Sequence, residues 1–120
     1  MTTDLTKFAK DNGIEYFMIS FTDLFGGQRA KLVPARAIAD MQEDGAGFAG
    51  FATWLDLTPA HPDMLAVPDP EAAIILPWDK TIAWVPGNCV MEGQDVAQAP
   101  RNVLRKLISE AADEGMHVKT

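Results

Sequence analysis

Histidine, cysteine and acidic side chains are the groups in this sequence that could carry chemistry. His61 lies in a Pro-Ala-His-Pro-Asp run and His117 lies near the last residue, and neither has a second histidine, a cysteine or an acid at metal-ligand spacing. Cys89 has no neighbouring base that would make it a nucleophile. We therefore expect both histidines to be solvent-facing or structural, and Cys89 to be a buried, unreactive thiol.

The 17 acidic residues raise the question of a metal site. Most of them fall at predicted helix starts, turns and solvent faces, and the sequence has no EF-hand spacing, Walker loop or GxGxxG motif. Asp69 lies between two prolines, which is typical of a turn, whereas Asp63 could cap a loop or reach across an interface. We predict no catalytic residue and no metal ligand in this chain.

Charge and composition exclude several classes of partner. The net charge of −7 argues against nucleic acid, because phosphate binding needs clustered lysine and arginine. No apolar run approaches the about 20 residues that span a bilayer, and the N-terminal residues have no apolar signal core. A single cysteine cannot form an internal disulfide. These features predict one cytoplasmic domain with no membrane partner.

Residues 45–69, called the aromatic segment below, are the most unusual part of the sequence. They carry Phe48, Phe51 and Trp54, yet keep neither a helical nor a strand period and are broken by glycines and prolines. Their apolar composition argues against disorder and predicts a long ordered loop. The loop could rest on another subunit or domain, or it could fold back over its own sheet.

The elements that must position this loop are predicted as helices and strands of a single domain. Periodicity indicates a helix over residues 3–11 capped by Thr3, a strand over 14–21, a partner strand over 28–33 and a helix over 34–42. Beyond the aromatic segment it indicates strands over 72–76 and 81–85, a continuation over 88–91, a helix over 100–115 and a strand beginning at 116.

This order predicts an α+β fold, a β-grasp-like mixed sheet with packed helices. Pro86 favours an edge position or a bulge for its strand, and aromatic residues, Trp78 and Trp84 among them, are expected to pack on the sheet. The helix over 100–115 is expected to bury an apolar stripe. Its members are Val103, Leu104, Leu107, Ile108 and Ala111.

Several short motifs, in order, make the sequence similar to the N-terminal domain of the glutamine synthetase family. The run FTDLFG at residues 21–26 resembles the family's F-T-D-x-x-G turn, and DMLAVPD at 63–69 resembles the D-M-x-x-x-P-D that ends its long loop. Residues 72–78 fall where the family has an A-x-I-x-P-aromatic strand, and Pro100-Arg101 opens the next helix. The GAGFAG run at 45–50 is most similar to a subgroup with type III-labelled glutamine synthetases and γ-glutamylmethylamide synthetases.

The resemblance implies a β-grasp domain over residues 1–120 that packs against the catalytic domains of its own and neighbouring subunits in a homo-oligomeric ring. It implies an ATP-dependent ligase that uses Mg2+ or Mn2+ to join glutamate to ammonia or a small amine. ATP and metal would be bound by a catalytic domain that is absent from this sequence, so these 120 residues alone are predicted inactive. The implied contribution to a neighbour's substrate site comes from Phe48, Ala49, Gly50, Phe51, Trp54 and Asp63.

Two positions depart from the family pattern. Typical members carry F-D-G-S-S in this loop, with an aspartate that helps to bind ammonium, whereas Ala49 occupies the aligned position here. A methyl group neither attracts a small cation nor helps to deprotonate it, so an alkylamine such as methylamine is one possible acceptor. The family's loop tryptophan is also displaced: Asp56 stands at its position and Trp54 lies two residues earlier.

A second class of function stays open. A freestanding β-grasp domain of this length could be a non-catalytic binding or regulatory module that docks on a partner. The loss of the aspartate at Ala49 fits that alternative as well. Sequence downstream of Thr120 would discriminate the two, because a ligase continues into a large catalytic domain.

Overall fold

The computed structural model describes residues 3–119, which form a mixed sheet with helices packed on it. In chain order the elements are α1 (Leu5–Asn12), β1 (Tyr16–Thr22), β2 (Gln28–Pro34), α2 (Ile38–Asp44), β3 (Ala46–Phe48), β4 (Met64–Pro68), β5 (Ile74–Leu76), β6 (Asp79–Met91), β7 (Gln94–Asp95) and α3 (Pro100–Asp113). None of the helices within residues 3–119 has the length and apolar character needed to cross a membrane.

The sheet has the topology expected of a β-grasp fold. Its strand order is β2-β1-β6-β4-β3, with β5 and β7 also paired to β6. Strands β1 and β2 form an antiparallel hairpin, β1 runs parallel to β6, and β4 is antiparallel to both β6 and β3. The predicted α+β class and mixed sheet are therefore confirmed.

Helix α1 begins one residue later than predicted. Asp4, and not Thr3, is the N-cap, because its carboxylate accepts the backbone N–H of Thr6 at 2.9 Å. The helix ends at Gly13, which has the left-handed φ of 67° that glycine adopts easily. Leu5 and Ala9 face the core.

The core lies where α1 and α2 pack on the sheet. Its largest fully buried side chains come from different parts of the chain: Leu5 of α1, Phe17 and Ile19 of β1, Ile38 of α2, Leu55 of the aromatic segment, Met64 of β4 and Val85 of β6. Cys89 is also buried in this core, as predicted. Burial raises the pKa of its thiol to about 12, which keeps the thiol protonated and unreactive.

The prediction of an edge position or a bulge at Pro86 was wrong. The proline lies within β6, the central strand, which runs unbroken over Asp79–Met91. Pro86 is the last residue of β6 paired with β1, and Gly87 is the first paired with β4. A residue without an N–H is tolerated here because the strand changes partners at this point.

Regular structure extends into the aromatic segment, which the sequence had not predicted. Strand β3 and a short 3-10 helix (Gly50–Ala52) follow its start, and β4 occupies its end. Strand β4 pairs with β3 on one side and β6 on the other, so its regularity comes from residues distant in sequence. The irregular part shortens to residues 53–63.

Helix α3 has the predicted position, but its apolar stripe is not buried. Val103, Leu104 and Leu107 are exposed, while Asn102 is the buried residue of this helix and donates to the carbonyls of Cys89 and Val96.

Two further predictions were wrong. Residues 116–119 do not form the predicted strand, and Thr120 lies outside the described residues. Trp78 was expected on the sheet but lies in the β5–β6 turn with 79% exposure. Trp84 is half-buried, and its indole N–H donates to the Ser20 hydroxyl.

Candidate functional site

The turn between β1 and β2 is organised around one buried carboxylate. Residues 23–27, called the Asp23 turn below, place the Asp23 side chain so that Oδ1 accepts the backbone N–H of Phe25 at 2.9 Å and of Gly27 at 2.8 Å. Its Oδ2 accepts Arg29 Nε at 3.0 Å. A Cβ at position 27 would lie 2.8 Å from Asp23 Oδ2, so only glycine fits against this carboxylate. Sequence and geometry thus agree on a tight, self-bonded turn.

The surroundings of Asp23 favour its charged form. Burial alone would raise the pKa of its carboxyl group, but the N–H groups of Gly27 and Phe25 and the side chain of Arg29 outweigh burial and hold the pKa below its ordinary value. The carboxylate therefore stays ionised and keeps Arg29 paired at neutral pH.

The Asp23 turn meets the aromatic segment at Trp54. The backbone N–H of Leu24 donates to the Trp54 carbonyl at 3.2 Å. The Phe25 ring packs edge-on against the Trp54 ring, with centroids 5.4 Å apart, and the Arg29 guanidinium carbon lies 5.6 Å from the Trp54 ring centroid. These distances are typical of aromatic and cation–π contacts. Two loops far apart in sequence thus form one local structure.

The base of the aromatic segment is fixed by buried groups. Thr53 is buried and its hydroxyl donates to the Gly50 carbonyl at 2.6 Å. Leu55 enters the core, and its carbonyl accepts the Gln98 side chain at 2.8 Å. Gly50 is buried under the Pro62 carbonyl, which a Cβ at position 50 would approach to 2.8 Å. The segment is therefore anchored to its own domain at several points.

Between these anchors the backbone turns side chains outward. Trp54 and Asp56 have positive φ values of 56° and 59°, which side-chain-bearing residues adopt at a cost of roughly 1–2 kcal/mol each. They flank the buried Leu55, so the left-handed residues point to solvent while the one between them points inward. Unfavourable backbone of this kind concentrates at functional sites.

The structure does not bring the six predicted site residues together at one place. Phe51 and Trp54 remain 60% and 56% exposed and line an open groove, called the outer groove below. The other residues of the outer groove are Leu24, Phe25, Asp56 and Leu57.

Phe48 and Ala49 line a separate hollow beside the hairpin. Phe48 is half-buried, because its ring packs edge-on against Phe21 with centroids 4.9 Å apart. Ala49 is exposed and shares the hollow with Arg29. The remaining predicted residues line neither place, since Gly50 is buried and Asp63 is exposed just before β4. Of the three aromatic rings in the segment, Phe51 and Trp54 are exposed, whereas the Phe48 ring packs against its own sheet.

Sequence reasoning missed the contribution of the Asp23 turn. Leu24, Phe25 and Arg29 join the loop residues, although the sequence indicated only a turn and a family motif at FTDLFG. An aspartate followed by two nearby glycines is a signal for a self-bonded turn, and two large apolar residues inside such a turn must project outward. That signal could have found Leu24 and Phe25, but not their contact with Trp54.

Residues 3–119 contain no group of three or more histidine, cysteine, aspartate or glutamate side chains that could hold a metal ion. Both histidines are exposed, as predicted, and His61 Nδ1 accepts the backbone N–H of Thr58 at 2.9 Å. The donor sets in this part of the chain therefore do not fit a divalent metal.

Comparison with known proteins gives whole-chain relatives. The chain is 70% identical over 120 residues to a glutamine synthetase of Rhizobium leguminosarum bv. phaseoli, covering 100% of this chain and 28% of that protein. It is 31% identical over 115 residues to a glutamate–methylamine ligase of Methyloversatilis universalis, covering 94% of this chain and 26% of that protein. No protein-family model matches the chain.

A solved structure of a GmaS/ADP complex has the same fold. It aligns with a TM-score of 0.92 and 55% sequence identity, over 94% of this chain and 26% of that chain. The chain thus spans about a quarter of the length of the proteins it matches.

Proposed function

This chain belongs to the glutamine synthetase family, and from that premise we propose that residues 1–120 are the N-terminal domain of an ATP-dependent ligase that joins glutamate to ammonia or a small amine. In such a reaction the side-chain carboxylate of glutamate becomes a γ-glutamyl phosphate, and the amine then displaces phosphate. ATP and the divalent metal would be held by a catalytic domain elsewhere in the longer protein. The cytoplasmic location also stays a prediction.

One contribution of the domain is the outer groove, which we assign, together with the hollow beside Ala49, to the active site of a neighbouring subunit. The observation that carries this assignment is the exposure of Phe51 and Trp54 on a segment otherwise anchored in its own core. An apolar surface of this kind can cover a cleft and keep water away from a reactive acyl phosphate.

Mixed oligomers test the shared site. One copy of the full-length protein carries Phe51→Asp and Trp54→Ala, and the second carries substitutions of the metal-binding glutamates that the family places in the catalytic domain. If the groove serves a neighbour, each copy alone is inactive and co-assembled copies recover part of the activity. Recovery fails if each site is built from one chain, and a full-length protein that forms no glutamate amide contradicts the ligase assignment itself.

The lining of the hollow beside Ala49 supports a proposal for the type of amine that the enzyme accepts. Its lining includes Phe21, Phe48 and Ala49 as apolar surface and Arg29 as the charged residue, and it contains no carboxylate. A cationic wall attracts neither ammonium nor an alkylammonium, so it offers no charge recognition that would favour ammonium, and its apolar part tolerates the methyl group of an alkylamine. We therefore assign methylamine or a similar alkylamine as an acceptor at least as good as ammonia.

Ala49→Asp tests this assignment in the full-length enzyme. The new carboxylate favours a small cation, so kcat/KM for ammonium should rise relative to methylamine by about tenfold, the effect of roughly 1.4 kcal/mol. Ala49→Asn is the matched control, because it adds similar volume without charge. A wild-type enzyme that strongly prefers ammonium would contradict the assignment.

A further inference from the structure

The orientation of Trp54 depends on contacts from the Asp23 turn. Trp54 is more than half exposed and lies in the left-handed backbone region. Its carbonyl is held by the Leu24 N–H, one edge of its ring meets Phe25, and the Arg29 guanidinium lies over the ring.

The Arg29 side chain is itself held by the buried carboxylate of Asp23. Its Nε donates to Asp23 Oδ2 at 3.0 Å, and Asp23 is only 4% exposed. The two backbone N–H groups on Asp23 Oδ1 fix the carboxylate, which leaves Oδ2 aimed at Arg29. A planar guanidinium can donate this hydrogen bond from Nε and lie flat over a ring at once, whereas an ammonium group has no planar face to present to the ring.

We infer that Asp23 and Arg29 are positioning residues that set the Trp54 ring, and through it the outer groove, for the amine-transfer step. The inference rests on the proposed function and extends it: Asp23 lines neither the outer groove nor the hollow beside Ala49, and Arg29, which also lines that hollow, acts here through the Trp54 ring. The chain of contacts runs from the buried carboxylate to the guanidinium and then to the indole. A loop held in this way keeps its shape without regular secondary structure, and preorganisation of that kind matters most for a group that must seal a cleft.

The test compares Arg29→Met, Arg29→Lys and the control Arg36→Met in the full-length protein. Arg29 is partly exposed, so methionine should be tolerated by the fold, and Arg36 is an exposed arginine outside both the outer groove and the hollow beside Ala49. Two quantities are measured: kcat and KM for amine, glutamate and ATP, and the fluorescence anisotropy of Trp54. Subtracting the signal of the matching Trp54→Phe protein isolates Trp54 from the other tryptophans.

We expect Arg29→Met to lower the Trp54 anisotropy and to reduce kcat/KM for the amine by about tenfold or more, since a displacement of about 1 Å can cost up to about 10²-fold. The KM for ATP should stay unchanged, Arg29→Lys should recover part of both effects, and Arg36→Met should match wild type. Asp23→Asn should reproduce the Arg29→Met anisotropy if it folds.

Several results would overturn the inference. If Arg29→Met matches Arg36→Met in both measurements, Arg29 has no positioning role. Lower activity with unchanged anisotropy shows that Arg29 acts by another route, and lower anisotropy with unchanged activity shows that the orientation of Trp54 does not matter to the reaction. If wild type forms no glutamate amide, the proposed function fails separately, and with it the catalytic part of the inference; the anisotropy comparison then decides only the coupling.

Discussion

Leu55 and Phe51 belong to the same short stretch of the aromatic segment, yet they have opposite environments. Leu55 is fully buried among residues from the helices and the sheet, whereas Phe51 is 60% exposed. Trp54, directly beside Leu55, is exposed as well. The segment therefore has an inner side that is buried in the core of the domain and an outer side whose rings stay more than half exposed.

Under the proposed function, this difference assigns anchoring and activity to separate residues of one loop. The inner side consists of Gly50, Thr53 and Leu55, each held by burial or by a hydrogen bond. The outer side consists of Phe51 and Trp54, and of these Trp54 contacts Phe25 and Arg29. Substitutions on the inner side should therefore act on stability, and those on the outer side on activity.

The largest expected effect is on the inner side. Leu55→Ala should lower the free energy of unfolding by about 2–5 kcal/mol, because it leaves a cavity in the core. Phe51→Ala, the matched outer substitution, should change it by less than about 0.5 kcal/mol. Urea unfolding of the 120-residue chain measures both. Equal losses would mean that the two sides are not distinct.

A smaller effect is expected from one added methyl group. Gly50→Ala should cost about 1–3 kcal/mol, because its Cβ would lie 2.8 Å from the Pro62 carbonyl oxygen and the loop must shift. Gly47→Ala provides the control, since a Cβ there has nothing within 4 Å. Thermal unfolding of the two variants compares them. A loss of stability at position 47 as large as that at position 50 would count against a specific clash under Pro62.

The smallest effect depends on pH and concerns the turn beneath the outer side. The folded-state pKa of Asp23 is depressed, so its ionisation stabilises the fold fully above the ordinary aspartate pKa of about 3.9, and this contribution disappears as pH falls through the folded-state value. The Tm difference between wild type and Asp23→Asn should therefore be largest near pH 7 and shrink below pH about 4. A difference that stays constant across this range would show that the charge of Asp23 does not contribute.

Local sequence was sufficient for the hairpin and for helices α1 and α3. The helix predicted over residues 34–42 begins only at Ile38, because Pro34 still pairs with Tyr16 in β2 and Ala35–Ala37 form a 3-10 helix. Alternation of polar and apolar residues identified the second hairpin strand, and the pairing of Phe21 with Arg29 and of Phe17 with Val33 confirms it. Pro100 and the spacing of apolar residues located α3. Such patterns are local, so they can be found without knowing what the element touches.

The remaining features depend on partners distant in sequence. Residues 64–68 become a strand because β6 and β3 flank them, and Pro86 is tolerated because β6 changes neighbours there. Amphipathic α3 shows the same limit: its pattern predicts an apolar face, but not that Leu107 stays exposed in this domain. The sequence predicted the outer groove only in part. Phe51 and Trp54 are recognisable from their residue types, whereas the contact of Trp54 with the Asp23 turn is not.

The parallel pairing of β1 with β6 also determines how long β1 waits for its partner strand during synthesis on the ribosome. Tyr16 pairs with Ile82, so the hairpin leaves the exit tunnel long before its central neighbour exists. At translation rates of about 5–20 residues per second, the wait is roughly 3–13 s. During this interval one edge of β1 has no strand beside it, and the nascent hairpin is open to association with other chains and to capture by chaperones.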